Sequence, residues 1–263
     1  PNSSQRFSSD SRRLYFETAP IPENVREERI AKAEGREAKR DEETDQAKLD
    51  VWHWQDPQLQ PQQLLQAEVE RKRDYRAVYD LRSRKIAQLA TRQVPSVDIN
   101  YRSASRFAVA NTNLRYRKTL SWDVPGLQDA YLVDLKTGDR QIVVEGVKWD
   151  VAMSPEGKYL TWFDAERQAW FAKSVQAKKL SNKPIEISKG IEFALYDELN
   201  DRPMLPRAYG SPGWLKEDRA MLVYDRYDIW QLDPSGAKAP ICLTQGHGRA
   251  HELRFRYQRL VSD

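Results

Sequence analysis

The chain has 263 residues, enough for one large domain or two ordinary ones, and its 43 basic and 39 acidic residues leave a formal net charge of only +4. No basic tract interleaves with aromatic residues, which argues against nucleic acid as a partner, and no apolar run approaches the ~18 residues of a membrane span. Mean hydropathy is −0.81. Disordered chains are poor in aromatic residues, so the eight Trp and twelve Tyr predict that most of the chain folds.

A turn followed by a strand recurs along the chain. The strongest copy is Ser154-Pro-Glu-Gly157, where Pro and Gly occupy positions that a type I turn favours. Residues 159–163 then alternate between two faces, which predicts a half-buried strand. The last two intervals between copies are close to the ~40–50 residues of a four-stranded propeller blade, and the first is about twice as long, which predicts a hidden blade. The other copies lie at Phe7–Phe16, Tyr101–Val109 and Trp214–Tyr224.

A second unit, two strands joined by a short polar loop, accompanies these turns. Gly138 is available for the left-handed position of the clearest loop, as in many hairpins. The two units together predict an all-β fold, a β-propeller fragment of about four to five blades over residues 1–263, with aromatic side chains filling the space between blades. The predicted hairpins are Tyr75–Leu89, Ala130–Val144 and Asp228–Thr244.

Charged residues at 23–48 interrupt this pattern. They have no apolar stripe with which a helix could dock, so a solvated helix or a disordered insertion is predicted, with a partner-binding element as the alternative. Leu49–Trp54 alternates and predicts a strand with His53 on its polar face. A short helix is predicted over residues 58–74, where it could cap a sheet edge or pack on the next blade.

Residues that carry catalytic chemistry are few. The chain has no Gly-x-Ser-x-Gly elbow, no phosphate-binding Gly loop and no Cys pair, so no catalytic residue is assigned. His247 and His251 would share a metal only on a helix, and the glycines around them favour a loop. No metal and no other cofactor is therefore predicted. Cys242, the single cysteine, is predicted to be a small buried core residue, since most free cysteines are.

An acidic cluster, Tyr196–Asp201, lies just ahead of the Gly210-Ser-Pro-Gly213 turn that opens the last predicted blade. Loops that join blades reach the rim or mouth of a propeller. Carboxylates such as Asp197 and Glu198 can bind a cation there, for example the amino terminus of a peptide. The alternative is a solvated loop, capped by its own Asp and Asn side chains or neutralised by nearby basic residues: Arg202, Arg207 and Arg219.

The turn at Ser154 and its copies resemble the Ser-Pro-Asp-Gly-Lys phrase of TolB-like and prolyl oligopeptidase-type propellers. The order of phrases is similar to the propeller part of long bacterial serine peptidases of the prolyl oligopeptidase family. The resemblance covers nearly all of the chain except residues 23–48. The stretches that carry it are Leu49–Pro57, Leu59–Gln63, Tyr224–Asp233 and Leu243–Arg249.

This resemblance implies that the chain is part of a longer protein in which a C-terminal α/β-hydrolase domain carries the Ser-Asp-His triad. The propeller segment is then non-catalytic and gates access, so that peptide substrates rather than folded proteins reach the nucleophile. In the dipeptidyl peptidase IV branch an acidic propeller segment holds the substrate's amino terminus. Glu198, with Asp197 beside it, has a similar place here, although that branch's adjacent pair of glutamates is missing.

The same resemblance favours a periplasmic or extracytoplasmic compartment for the parent protein. A second function remains open on the residues alone. A free-standing TolB-like or WD-type propeller that acts as a scaffold for protein partners would show the same repeated turns.

Overall fold

The computed structural model of the protein describes residues 5–21, 23–35, 51–101, 103, 105–176, 179–180 and 183–258. The described residues form four antiparallel sheets, which we call blades 1 to 4. Blade 1 contains β1 (Arg6–Phe7), β2 (Arg13–Thr18), β3 (Tyr75–Asp80) and β4 (Lys85–Gln88). Blade 2 contains β5 (Ser96–Asp98), β6 (Phe107–Thr112), β7 (Gln128–Asp134) and β8 (Arg140–Val147).

Blades 3 and 4 follow the same plan. Blade 3 contains β9 (Ala152–Met153), β10 (Tyr159–Asp164) and β11 (Ala169–Gln176), and β11 pairs with both β12 (Lys179–Leu180) and β13 (Ile185–Glu186). Blade 4 contains β14 (Gly213–Trp214), β15 (Met221–Tyr224), β16 (Ile229–Leu232) and β17 (Ile241–Cys242). Three α-helices lie between or after strands: α1 (Glu23–Ala33), α2 (Gln60–Arg71) and α3 (His247–Ala250).

The blades pack face to face through three apolar cores, one at each junction between successive blades. Strand β10 shows how one strand serves two cores. Leu160 and Trp162 face blade 2, whereas Phe163, on the opposite side of the strand, faces blade 4. All three side chains are buried. The alternation predicted from the sequence is confirmed, but the strand is buried on both faces rather than half-buried, because blade 3 lies between blades 2 and 4.

This architecture confirms the prediction of an all-β propeller fragment. Each of the four repeated turns is the connection from the first strand of a blade to its second, and each predicted hairpin supplies a third and a fourth strand. The prediction of a hidden blade in the long first interval is wrong. Strand β2 pairs directly with β3, from Arg13 opposite Asp80 to Thr18 opposite Tyr75. Residues 19–74 are therefore an insertion within blade 1.

The insertion is mainly helical where it is described. Helix α1 buries Ala31, whereas α2 buries none of its residues, and α2 lies within the segment for which a short helix is predicted. The strand predicted over residues 49–54 is wrong for its described part, because residues 51–54 form no strand and Trp54 is 77% exposed. Residues 36–48 of the predicted charged insertion lie outside the described residues. Within the described ranges, no helix has the length and apolar character to cross a membrane.

Aromatic residues divide into two groups. Trp162 and Trp170 are buried in the cores between blades, and three more tryptophans pack against the core of blades 3 and 4: Trp149, Trp214 and Trp230. Trp52, Trp54 and Trp122 are instead exposed. All three exposed rings lie in connections between a second and a third strand, where no neighbouring blade covers them. The interpretation of aromatic residues as filler between blades holds for the first group alone.

Hydrogen bonds between neighbouring turns reinforce the apolar packing. Asp218, in the first turn of blade 4, is 2% exposed and accepts a hydrogen bond of 2.6 Å from the Ser154 hydroxyl. The backbone N–H groups of Glu156 and Lys158 donate to the same carboxylate at 3.1 and 3.2 Å. A carboxylate from blade 4 therefore fixes the Ser-Pro-Glu-Gly turn of blade 3.

We expect Asp218→Ala to lower the free energy of unfolding by about 2–4 kcal/mol, because the buried Ser154 hydroxyl and two part-buried backbone N–H groups of blade 3 lose their acceptor. Asp218→Asn retains one acceptor oxygen and tolerates the positive φ of 56° at this position, so its loss is expected to be smaller. Urea denaturation measures both values. Glu166→Ala, at an exposed turn, is the control and is expected to stay within about 0.5 kcal/mol of the wild type. Equal stability of Asp218→Ala and the control would contradict this role.

Two tryptophans test the blade-to-blade core. Trp162 is 2% exposed between blades 2 and 3, and Trp122 is 74% exposed. Trp162→Ala is expected to cost about 3–5 kcal/mol of unfolding free energy through lost burial and a cavity, whereas Trp122→Ala is expected to change it by no more than about 0.5 kcal/mol. Comparable losses in urea denaturation would show that the core is not where the structure places it.

Candidate functional site

Most of the residues that connect the strands lie at one end of the blades. Because successive strands are antiparallel, the connections alternate between the two ends of each blade. We call the end that carries the second-to-third-strand connections and the links between blades the linker face. Its described residues are 19–21, 23–35, 51–74, 89–95, 113–127, 148–151, 165–168, 187–212, 225–228 and 243–258.

The link between blades 3 and 4, residues 187–212, carries the acidic cluster and is anchored at its base. Ile187 and Leu195 are buried in the core between these blades. The Tyr209 N–H donates to the Leu195 carbonyl at 2.9 Å, and the Asp197 N–H donates to the Arg207 carbonyl at 2.8 Å. The two arms of the link are therefore held side by side, and the acidic residues project from a fixed base.

Asp197 and Glu198 are both exposed. The Glu198 N–H donates to the Tyr209 hydroxyl at 3.2 Å, and that hydroxyl lies 3.5 Å from Glu198 Oε2. Asp197 Oδ1 accepts the N–H of Leu199 at 3.1 Å, which closes a local turn. Among the residues that the structure describes, neither carboxylate forms an ion pair.

Two of the three arginines considered as neutralising partners have other contacts, and among the described residues none of the three forms an ion pair. The Arg207 guanidinium lies over the Trp149 ring, 4.3 Å from its centroid, and Arg219 Nε donates to the Lys216 carbonyl at 3.2 Å. The negative charge of Asp197 and Glu198 is therefore left open to solvent.

Tyr209 is the side chain in closest contact with Glu198. Burial raises its pKa, and the charges of Glu198 and Asp197 raise it further against the opposing Glu198 N–H and Arg226. The phenol consequently stays protonated at neutral pH and can donate a hydrogen bond.

A cavity of about 250 Å³ adjoins this link. Its aromatic wall consists of Trp149, Phe163 and Trp170, and Arg207 closes one side. The Nε1 atoms of Trp149 and Trp170 are buried and have no hydrogen-bond partner among the described residues. Arg207 joins the cavity to the acidic cluster, because its side chain lines the one and its carbonyl holds Asp197 of the other.

No protein-family model matches the chain, and neither does any curated protein. Among solved structures, the chain is similar to an acylaminoacyl peptidase in complex with Z-Gly-Gly-Phe-chloromethyl ketone, at 12% identity and a TM-score of 0.36. It is also similar to the Pyrococcus horikoshii acylaminoacyl peptidase, at 10% identity and a TM-score of 0.36. Each match covers 88% of this chain, which spans 31% of the length of either peptidase.

A third similar structure is the β-propeller domain of the Trilobed protease from Pyrococcus furiosus. Identity is 10% and the TM-score is 0.31, with 88% of this chain and 68% of that chain covered. The propeller fold of the present chain rests on its own four sheets and the cores between them, described above.

Two further aspartates on the linker face are buried and were missed by the sequence analysis. Asp228 accepts hydrogen bonds from the Thr244 hydroxyl at 2.6 Å and from the backbone N–H groups of Gly248 and Arg249 at 2.9 and 3.0 Å. Burial disfavours the charged form of Asp228, but these donors outweigh it and hold its pKa below the usual range. Asp225 accepts the Trp230 Nε1–H at 3.0 Å and a hydrogen bond from the Arg249 guanidinium at 3.3 Å. Both acids therefore connect blade 4 to the segment that follows it.

The cap by Asp228 also explains a wrong prediction. Residues His247–Ala250 form the single turn of α3 rather than a loop, and the rings of His247 and His251 lie 4.3 Å apart. Within the described ranges, no group of three or more His, Cys, Asp and Glu residues is placed to hold a metal ion. Cys242 is half-buried rather than buried, and its Sγ accepts the Gly246 N–H at 3.3 Å.

Asp129 in blade 2 is another buried carboxylate with structural partners. It is fully buried and accepts hydrogen bonds from the Tyr116 hydroxyl at 2.6 Å, the Gly146 N–H at 3.1 Å and Arg115 at 3.1 Å. Burial, together with the hydrogen bond to Asp129, raises the pKa of Tyr116 to about 12. The protonated phenol is thus part of the folded state.

Tyr116 gives a test in alkaline solution. An unfolded tyrosine has a pKa of about 10, below the folded value of about 12. Its contribution to stability is therefore complete below pH ~10 and is lost as the pH rises towards ~12. We expect Tyr116→Phe to show a smaller fall in unfolding free energy over this range than the wild type, measured by urea denaturation. Tyr257→Phe, at a ring whose residue is 55% exposed, is expected to keep the wild-type fall. The same fall in all three proteins would contradict the raised pKa.

Proposed function

We propose that this chain is the non-catalytic propeller segment of a serine peptidase, and that its linker face binds peptides by their free amino terminus. The observation that carries the proposal is the pair of exposed, unpaired carboxylates, Asp197 and Glu198, on an anchored link beside an aromatic cavity. The succession of sequence phrases supports the peptidase context, in which an α/β-hydrolase domain of the same parent protein supplies the triad.

The acidic residues provide the charge for an ammonium group. An exposed ion pair is generally worth no more than about 1 kcal/mol, because water screens the charges and two mobile side chains must be ordered. The backbone of Glu198 is already held by Tyr209, and that of Asp197 by Arg207. Less conformational entropy is therefore lost on binding, and preorganisation of this kind raises affinity.

The adjoining cavity provides the remaining contacts. A volume of about 250 Å³ accommodates one side chain of a peptide against Trp149, Phe163 and Trp170. The Arg207 guanidinium, which lines the cavity, is a suitable donor for peptide carbonyl oxygens. Amino terminus, side chain and backbone of one short peptide would thus be recognised together. Gating follows in this proposal because only a free chain end can enter the site.

A free-standing propeller that scaffolds protein partners is the second candidate. The exposed tryptophans Trp52, Trp54 and Trp122 favour it, since large exposed aromatic side chains commonly mark interaction surfaces. The gene distinguishes the two functions. If no Gly-x-Ser-x-Gly elbow is encoded within about 250 codons downstream of residue 263, the peptidase context is lost and the scaffold is favoured.

Peptide binding is testable on the chain itself. We expect the tripeptide Ala-Ala-Phe to bind with a change in tryptophan fluorescence, and Glu198→Gln to weaken that binding by about five- to tenfold, or roughly 1–1.4 kcal/mol. N-acetylated Ala-Ala-Phe is expected to bind more weakly and to be insensitive to the substitution, because it lacks the ammonium group.

Glu192→Gln is the matched control, at an exposed glutamate of the same link. It is expected to bind Ala-Ala-Phe as the wild type does. Equal affinity of the wild type for the free and the acetylated peptide would overturn the role of Asp197 and Glu198.

A further inference from the structure

A second cavity, of about 620 Å³, lies on the linker face between the insertion and blade 2. It shares no lining residue with the acidic link or the aromatic cavity. The last turn of α2 and the residues after it form one wall, with Arg71 and Arg73. Arg92, from the link between blades 1 and 2, and Arg117, from the 3₁₀ helix Leu114–Thr119, lie on the other side.

The charge of this cavity is one-sided. Its lining includes four arginines and a single acid, Glu70. Glu70 forms an ion pair with Arg73, whose Nε and NH2 groups donate to the two carboxylate oxygens at 2.7 and 2.6 Å. Among the described residues, Arg71, Arg92 and Arg117 form no ion pair. Four arginines against one glutamate leave the lining with a net excess of three positive charges.

The end of helix α2 does not cancel this excess. A helix C-terminus carries the equivalent of about half a negative charge, which is small beside three guanidinium groups. Part of that half charge is already met by the last-turn position of Arg71 itself. The remaining walls are largely apolar, with Pro95, Leu114 and the ring of Tyr75.

The insertion that builds this cavity is not required by the blade. In blades 3 and 4 the same connection, from the second strand to the third, is made by residues 165–168 and 225–228 alone. Blade 1 instead uses residues 19–74, and the pairing of β2 with β3 is unbroken. Helix α2, which contributes to the cavity, buries none of its residues, so it adds to the surface of the molecule rather than to its core.

We propose that this cavity binds an organic oxyanion, with its carboxylate or phosphate groups on Arg71, Arg92 and Arg117 and its carbon skeleton against Leu114 and Pro95. Guanidinium groups bind both kinds of oxyanion with two parallel hydrogen bonds, which gives orientation as well as charge. A cluster of arginines with an apolar wall suits a small molecule with several negative charges.

Calorimetric titration at low salt tests the site with two probes, citrate for carboxylates and inorganic pyrophosphate for phosphates. We expect one of them to bind with a Kd below about 1 mM, and tenfold more salt to weaken it because the charges are near solvent. Preference for citrate identifies a carboxylate ligand, and preference for pyrophosphate identifies a phosphate ligand.

Substitutions of the lining arginines test whether the oxyanion binds in this cavity. Arg92→Gln and Arg117→Gln are each expected to raise the Kd at least about fivefold, and Arg92→Lys is expected to lie between, since it keeps the charge but loses the paired donors. Arg82→Gln, at the opposite end of blade 1, is the control for general charge. Thermal melting of each variant verifies folding, and Arg92→Lys remains informative if a Gln variant is unstable.

Failure of both probes to bind below about 10 mM would overturn the proposal. An effect of Arg82→Gln equal to that of Arg92→Gln would overturn it as well, because binding would then follow net charge and not this cavity. Neither result bears on the peptide site, whose residues are separate.

Discussion

Blades 2 and 3 are sheets with two apolar faces, and neither face can be buried unless another blade lies against it. Strand β10 shows this constraint most clearly, with Trp162 turned to blade 2 and Phe163 to blade 4. Apolar burial contributes about 25 cal/mol per Å², so an isolated blade would expose the surface that holds the fold together. Stability is consequently a property of the stack, as in other repeat proteins whose units contact only their neighbours. The position of every loop discussed here depends on that stacking.

Buried carboxylates fix the loops that the stacking brings together. Asp218 holds a turn of the neighbouring blade, Asp228 holds the start of α3, and Asp129 holds a tyrosine and a backbone N–H within blade 2. All three have their acceptors occupied. Asp197 and Glu198 differ from them, because these acids are exposed and form no ion pair among the described residues, on a link that is itself anchored. Acids of the first kind serve the fold, and those of the second kind are available to a ligand.

The loops of the linker face are anchored in this way at their bases, yet their length and sequence can change without disturbing the cores. Its connections lie outside the cores, where insertions are tolerated and where binding residues are generally found. Two different binding surfaces arise there. An acidic link beside an aromatic cavity lies between blades 3 and 4, and an arginine-rich cavity lies between the insertion and blade 2. A frame of four similar blades thereby presents two chemically different surfaces on one face.

The sequence by itself determined the repeated turns, the alternation of the strands and the hairpins, because turn chemistry and a period of two are local properties. It also placed Asp197 and Glu198 in a link between blades. Only the tertiary structure decided that β10 is buried on both faces and that residues 19–74 are an insertion rather than a blade. It alone placed Asp218 on Ser154, and it brought the scattered arginines of the second cavity together. These features depend on partners far apart in the chain, which no local pattern encodes.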